Sequence, residues 1–326
     1  MSLSLPQTIV ALIGVSSNSL LLFCVISSTP KPVKIYSVIL LIHAIIDAFS
    51  CAVTIPAKPR AIIISWAFTY PSNGYCKYIS DWACSIGCAL ISHGFNYALY
   101  LILVSFLYRF LILKNVNLKT RHLLLICSLF YIPCFAEVIL FRLGESPSDQ
   151  IYNLIHQKYP TYNLTGYIIS GTLDITSFYS ALTFGHMLFS PTIVYSIILI
   201  LRRNIVKKLK IAAAHMSKNT RSMHDQLLKT LTIQSILPQL NMLALTAIFL
   251  EIFDILSDPI LEENVMTFSL LVPLITPIIS LIFIKPYNIR TRRLFGLKVS
   301  VGDIGYGSTE NRTITKIPKT TPVFTI

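Results

Sequence analysis

The sequence predicts an all-α membrane protein, a seven-transmembrane helix bundle with its N-terminus outside and its C-terminus in the cytosol. Charged residues make up 13% of the chain and hydrophobic ones 54%, whereas soluble domains are close to a quarter charged. Seven apolar runs reach roughly the 20 residues needed to cross a hydrocarbon core of about 30 Å at 1.5 Å per residue. Lys and Arg gather in alternate loops, the bias that orients helices in a bilayer.

The formal net charge of +13 raises nucleic acid as a partner, but that requires the basic residues to share one soluble face. They are divided among loops, so membrane lipid is the expected surroundings and no nucleic acid is expected. Of seven cysteines, Cys24, Cys51, Cys84, Cys88, Cys127 and Cys134 lie inside apolar runs. They read mostly as small core residues rather than a disulfide framework. No Lys or Arg precedes Lys31, and the first apolar run is too long for a signal-peptide core, so an uncleaved first span is expected.

The first segment runs from about Leu5 to Ile26 and stops at Ser27-Ser-Thr-Pro30; the second, from about Tyr36 to Ile55, is closed by Pro56 and Pro59. Ala61 to Phe68 is too short to cross, which leaves an interfacial piece, a re-entrant piece or part of the first outer loop. Segment three spans roughly Asp81 to Leu113, and segment four His122 to Phe141. A Tyr-rich loop of mixed charge follows, from Leu143 to Ala181, with a glycosylation sequon at Asn163-Leu-Thr165. Segment five covers about Leu182 to Leu201 and leads into the most basic loop, Arg202 to Lys229. Segment six, Leu228 to Phe253, contains Pro238, and segment seven, Val265 to Ile284, contains Pro273 and Pro277. Residues 1–287 therefore form the bundle and residues 288–326 a cytosolic tail, basic and then Thr-rich, that reads as largely disordered. Within it, Pro286 to Leu297 is either a helix on an anionic leaflet or solvated chain. The purely acidic loop after segment six and the basic loops after one, three and five set the orientation, against Lys58, Arg60 and Lys77 in the first outer loop.

Segment three organises the candidate sites. His93, Asn96, Tyr97 and Tyr100 fall at i, i+3, i+4 and i+7, on one side of the helix. Arg109 closes the same helix about 24 Å further along, where a long side chain reaches the headgroups. The stripe either lines a pocket for a small molecule, together with His186, Gln239 and Asn241, or makes hydrogen bonds between helices. Asp47, at mid-membrane depth, needs an interior partner, and Asn18 on the antiparallel first segment is the candidate, as a structural clamp or a switch. Glu137 is a second buried acid, with Arg142 nearby in sequence. No HExxH, nucleophile elbow or phosphate-binding glycine loop is present. Neither catalysis, a cofactor nor a metal site is expected.

The runs Gly14-Val-Ser-Ser-Asn18, Thr29-Pro-Lys31 with Tyr36-Ser37, Asp47 and Ser105-Phe-Leu-Tyr-Arg109, then Leu227-Leu-Lys229 to Leu237-Pro238 and Lys285-Pro-Tyr287, together resemble the nematode serpentine receptors of class delta. The resemblance covers almost the whole chain to about Tyr287. It implies a G-protein-coupled chemosensory receptor of the plasma membrane, in the cilia of a sensory neuron, with a small-molecule ligand and a heterotrimeric G protein as partners. By the same resemblance, Asn18 and Asp47 match the polar pair of the first two helices. Tyr108 and Arg109, with Arg202 and Arg203, would face the G protein. Arg109 follows Tyr108 rather than an acid, so the acid–arginine lock of the wider superfamily cannot form between neighbours. Cys76 stands where an outer disulfide cysteine is expected, but Leu143 to Ala181 contains no cysteine to partner it. The competing readings are a seven-span ligand-gated cation channel or a transporter. The first needs a ring of acids at one depth and the second an inverted repeat, and neither stands out.

Overall fold

The computed structural model describes residues 5–30, 34–116, 118–212, 229, 232–253, 255 and 259–297. Lys31, residues 213–228 of the basic loop, the side chain of Asn241 and the tail beyond residue 297 lie outside the described residues. The helices are α1 (Leu5–Ser28), α2 (Lys34–Ala57), α3 (Asp81–Ile112), α4 (Thr120–Leu143), α5 (Ser148–Lys158), α6 (Phe178–Ala212), α7 (Pro238–Ile252), α8 (Pro259–Phe283) and α9 (Lys285–Leu294). All but α5 and α9 belong to the seven that are long and apolar enough to cross a membrane, the sixth counted from Thr232.

α3 is the axis. It packs against α2, α4 and α6 and touches α8, while α1 fills the space between α2 and α8. Its start is fixed by Ser80, whose hydroxyl accepts from the Ala83 amide. Small residues let it approach α2: a Cβ at Gly94 would overlap the Ser50 side chain. Pro238 stands in the first turn of α7, behind a turn at residues 235–237, rather than inside a continuous helix. There its missing N–H costs nothing. α9 docks on α1: Tyr287 is buried, its hydroxyl 3.1 Å from that of Thr29. This segment is helical from Lys285 to Leu294.

Two features depart from the sequence expectations. The run Ala61 to Phe68 and the Leu143–Ala181 loop build a small antiparallel sheet, β1 (Ile62–Ile64), β2 (Ala67–Thr69) and β3 (Gly171–Thr172), in the order β1-β2-β3. The sheet roofs one end of the bundle. Its alternating side chains serve two cores: Ile63 and Phe68 pack down on helix residues such as Val138 and Ile248, and Ile62 and Ile64 pack up against Ile151 and Ile155 of α5. Pairing satisfies backbone groups that would otherwise be buried without partners. The second departure is Cys84, which forms a disulfide with Cys76 across the start of α3, Cα to Cα 5.0 Å. One turn into a helix, Cys84 reads as part of an apolar run. The preceding 3₁₀ turn, Tyr75–Tyr78, brings Cys76 back over it.

Roof and bundle are fastened by charge as well. Arg60 donates to Glu262 of α8 at 2.9 and 2.6 Å, and Tyr162 donates to the same carboxylate at 3.0 Å. Burial and that carboxylate push the Tyr162 phenol up, which keeps it a donor. Tyr70 donates to Glu145 at 2.6 Å, and Glu145 also pairs with Arg142.

Ile155→Ala should cost the roof about 2–4 kcal/mol of docking free energy. Amide exchange in residues 61–70 is then expected to accelerate while α1 and α2 keep their protection. Equal acceleration everywhere would show that the α5 contact does not hold the roof separately.

Candidate functional site

Beneath the roof lies a cavity of about 100 Å³. Mostly apolar walls with a few polar groups are the character of small-molecule sites. Phe68 and Tyr70 form its ceiling, Phe95 and Asn96 of α3 one wall, and Met187 of α6 and Ile248 of α7 the other. Among the described residues its lining holds no Lys, Arg, His, Asp or Glu. Hydrogen-bonding side chains enter it from Ser92, Asn96, Tyr70 and Ser269.

Ser92 and Asn96 tie the cavity to a buried acid. Glu137, 1% exposed, accepts from Ser92 Oγ at 2.5 Å and from Asn96 Nδ2 at 3.0 and 2.8 Å, and lies 2.7 Å from His186 Nδ1. The other ring nitrogen of His186 is 3.3 Å from the Tyr100 hydroxyl. A carboxylate this deep needs donors on both oxygens, and here α3 and α6 supply them to α4. Glu137 is the residue that reading the chain undervalued. Arg142, five residues on, is turned by about 140° around α4 and pairs with Glu145 instead. His186, at matching depth on another helix, was the signal.

The polar stripe of α3 is thus divided. Asn96 and Tyr100 join His186 in the Glu137 network. His93 and Tyr97 face away from the cavity: the His93 ring stands edge-on to Tyr131 of α4 at 5.1 Å, and Tyr97 donates to the Cys127 carbonyl at 3.2 Å. Gln239 is also outside the cavity, exposed, donating to Tyr195 of α6 at 2.9 Å. Asn18 and Asp47 are both buried, but Asn18 donates to the carbonyls of Gly14 and Pro273, at 2.9 and 2.8 Å, and Asp47 lies 3.6 Å from His43. Asn18 ties α1 to α8 rather than to Asp47. Asn163 is exposed on the roof side, its carbonyl oxygen accepting from the Thr165 amide. Among the described residues no three His, Cys, Asp or Glu side chains come together as a metal site.

At the opposite end of α3, Arg109 lies over the Tyr36 ring of α2, 4.5 Å from its centroid, and Tyr108 stacks on the same ring at 5.9 Å. An aromatic face takes the place of a neighbouring acid. Arg202 is half-buried and Arg203 exposed on α6.

Glu137→Leu should destabilise the bundle by on the order of 3 kcal/mol, since Ser92, Asn96 and His186 would keep their burial and lose their acceptor. Thermal unfolding in detergent should show a lower midpoint, with Glu137→Gln in between. An unchanged midpoint for Glu137→Leu would remove the network from what binds α3, α4 and α6.

Residues 3–293 match the family model of the serpentine type 7TM GPCR chemoreceptor Srd. Among similar proteins, serpentine receptor class delta-18 of Caenorhabditis elegans is 33% identical over 288 residues, covering 87% of this chain and 85% of the relative. Serpentine receptor class delta-19 of the same organism is 32% identical over 289 residues, with the same coverage of each. Serpentine receptor class delta-3 is 32% identical over 283 residues, 85% of this chain and 82% of the relative. The match runs through the seven apolar helices, the roof and the cavity walls, and the chain belongs to the serpentine seven-transmembrane chemoreceptor family Srd, a family of multi-pass membrane proteins.

Proposed function

We propose that this chain is a G-protein-coupled chemosensory receptor of the plasma membrane that binds a small molecule beneath the roof and signals to a heterotrimeric G protein through the Arg109 end. The observation that carries this reading is the continuity of α3. One unbroken helix holds Asn96 in the cavity wall and Arg109 at the far end, 13 residues or about 20 Å apart. A ligand shifts such a helix only by its differential affinity for two arrangements. The cavity supplies the contacts and the Tyr36 stack supplies an arrangement that can be left.

The roof end faces outside in this reading. It bears the Cys76–Cys84 disulfide and the Asn163 sequon, both features of an oxidising, glycosylating compartment. The start of α1 lies on that side, Gln7 donating to the Pro59 carbonyl at 3.4 Å. Arg109, Arg202, Arg203 and the Arg-rich α9 lie at the other end, the distribution expected of a cytosolic face. Arg109 rests on Tyr36 in the unengaged receptor and is released to meet the G protein.

G-protein nucleotide exchange in membranes carrying the chain, challenged with volatile and water-soluble metabolites, tests the reading directly. Arg109→Ala should abolish the stimulated exchange at unchanged surface level. Tyr36→Leu, which removes a stack worth about 0.5–2 kcal/mol, should raise basal exchange several-fold, and Tyr36→Phe should not. An evoked current without nucleotide exchange would instead establish a channel. The topology has its own check: an endoglycosidase should shift the gel mobility of the wild type but not of Asn163→Gln, and an unshifted wild type would count against an outward roof.

A further inference from the structure

We infer that the cavity takes an uncharged, largely apolar molecule that arrives from the bilayer through the seam between α6 and α7, not from water through the roof. This rests on the receptor reading only for which side the roof faces.

The chemical class follows from the lining. Phe68, Phe95, Phe141, Met187 and Ile248 give dispersion contacts, and Ser92 and Asn96 offer hydrogen bonds at one wall. Among the described residues no ionisable side chain other than Cys88 and Tyr70 lines the space, and burial pushes the Tyr70 phenol up, so the wall stays neutral. A charged ligand would lose its hydration with no charged side chain in the wall to pair with, since Glu137 stands behind Ser92 and Asn96 with both oxygens already engaged, a cost of several kcal/mol. A neutral one with a single polar head loses little.

The route follows from what closes the other sides. The roof strands are buried on both faces, β1 and β2 lying between the bundle and α5. Arg60, Tyr162, Tyr70 and two ladders fasten the roof to the helices and to itself. Opening it toward water would expose two apolar cores and break a buried ion pair. The helix wall is different. α6 packs along α3 and α4, α7 packs along α8, and α6 and α7 meet sparsely. Where that seam meets the underside of the roof lies a small apolar pocket of about 10 Å³, between Phe184 and Leu188 of α6, Ile248 and Ile252 of α7 and the roof residues Ile63 and Phe68. It shares Phe68 and Ile248 with the main cavity. Those two side chains are the partition between an antechamber at the seam and the site. Phe189 and Phe249, both exposed, flank the seam with apolar surface facing the lipid.

A neutral photoreactive probe, an octanol bearing a diazirine, tests this on the full chain in phosphatidylcholine vesicles. Its octanoate and octyl-trimethylammonium analogues carry the same diazirine. The neutral probe should label peptides around Asn96 and Met187 in a saturable way, and each charged analogue at least about tenfold less. The route is tested after folding is complete, by joining Leu188→Cys to Ile252→Cys with a cleavable bifunctional thiol reagent. Closing this seam should slow labelling about tenfold or more, and cleavage of the reagent should restore it; reagent-treated wild type controls for the native cysteines. Wild-type labelling rates in the joined protein would overturn the route. Equal labelling by a charged analogue would overturn the ligand class, as would absence of cavity labelling by the neutral probe. None of these readouts needs a G protein. Labelling without any stimulated nucleotide exchange would therefore count against the receptor reading alone, and exchange without labelling against this inference alone.

Discussion

A carboxyl group in the middle of a bilayer-depth bundle constrains everything around it. Glu137 sits on α4, whose other side chains mostly face outward, and it is held by donors from α3 and α6. Three helices are thereby fixed in rotation about their own axes, because a turn of any one of them would leave a buried polar atom unmatched. Apolar packing between helices in lipid carries no such rotational preference, since lipid tails are as apolar as the side chains they replace. The cavity is defined by the same constraint. Ser92 and Asn96 spend hydrogen bonds on Glu137 and present their remaining surface to the open space, so this polar wall of the site is also the joint between its helices.

The roof solves a different problem. A loop crossing the mouth of an apolar cavity brings backbone N–H and C=O groups into a place without water. Two loops far apart in sequence meet this need together, with strand pairing between residues 62–69 and 171–172. The result is a small domain on top of the bundle with its own core, Ile62, Ile64, Ile151 and Ile155. A roof with its own core and an α6–α7 wall of few contacts would, on the proposed route, divide two tasks: one end excludes water and the side admits what the membrane dissolves.

The spans were legible because each is a long apolar run, and length against bilayer thickness leaves few alternatives. The roof was not. Its strands are two or three residues long, and although β1 and β2 form a local hairpin, the third strand lies a hundred residues on, a pairing that no local pattern reports. The Cys84 bond was hidden for a related reason, since Cys84 is followed by an apolar helical run and nothing in its local pattern separates the helix start from its interior. The stripe on α3 was read correctly as one face and wrongly as one environment. Its four residues spread over about 100° of the helix, wide enough to straddle two neighbours, so His93 and Tyr97 fell to α4 and Asn96 and Tyr100 to the Glu137 network. Shared depth misled in the same way for Asn18 and Asp47. Depth does not specify direction, and Asn18 points to Pro273.

Direction also explains how α3 can carry a signal. Asn96 and Arg109 are 13 residues apart, which places them about 140° apart around the helix. The cavity end therefore faces α4 and α6, while the Arg109 end faces Tyr36 on α2. A stiff rod pressed on one side at one end and held on nearly the opposite side at the other pivots rather than slides. Between the two ends the buried Leu99, Leu101 and Ile102 hold it in the core. Displacement at the cavity would then draw Arg109 along the Tyr36 ring. Cation–π attraction weakens quickly once the charge leaves the ring face, so a small tilt suffices to change which partner the guanidinium prefers. An acid in place of Tyr36 would hold Arg109 more strongly and over a wider range of positions; an aromatic ring makes the contact weak, directional and easy to leave.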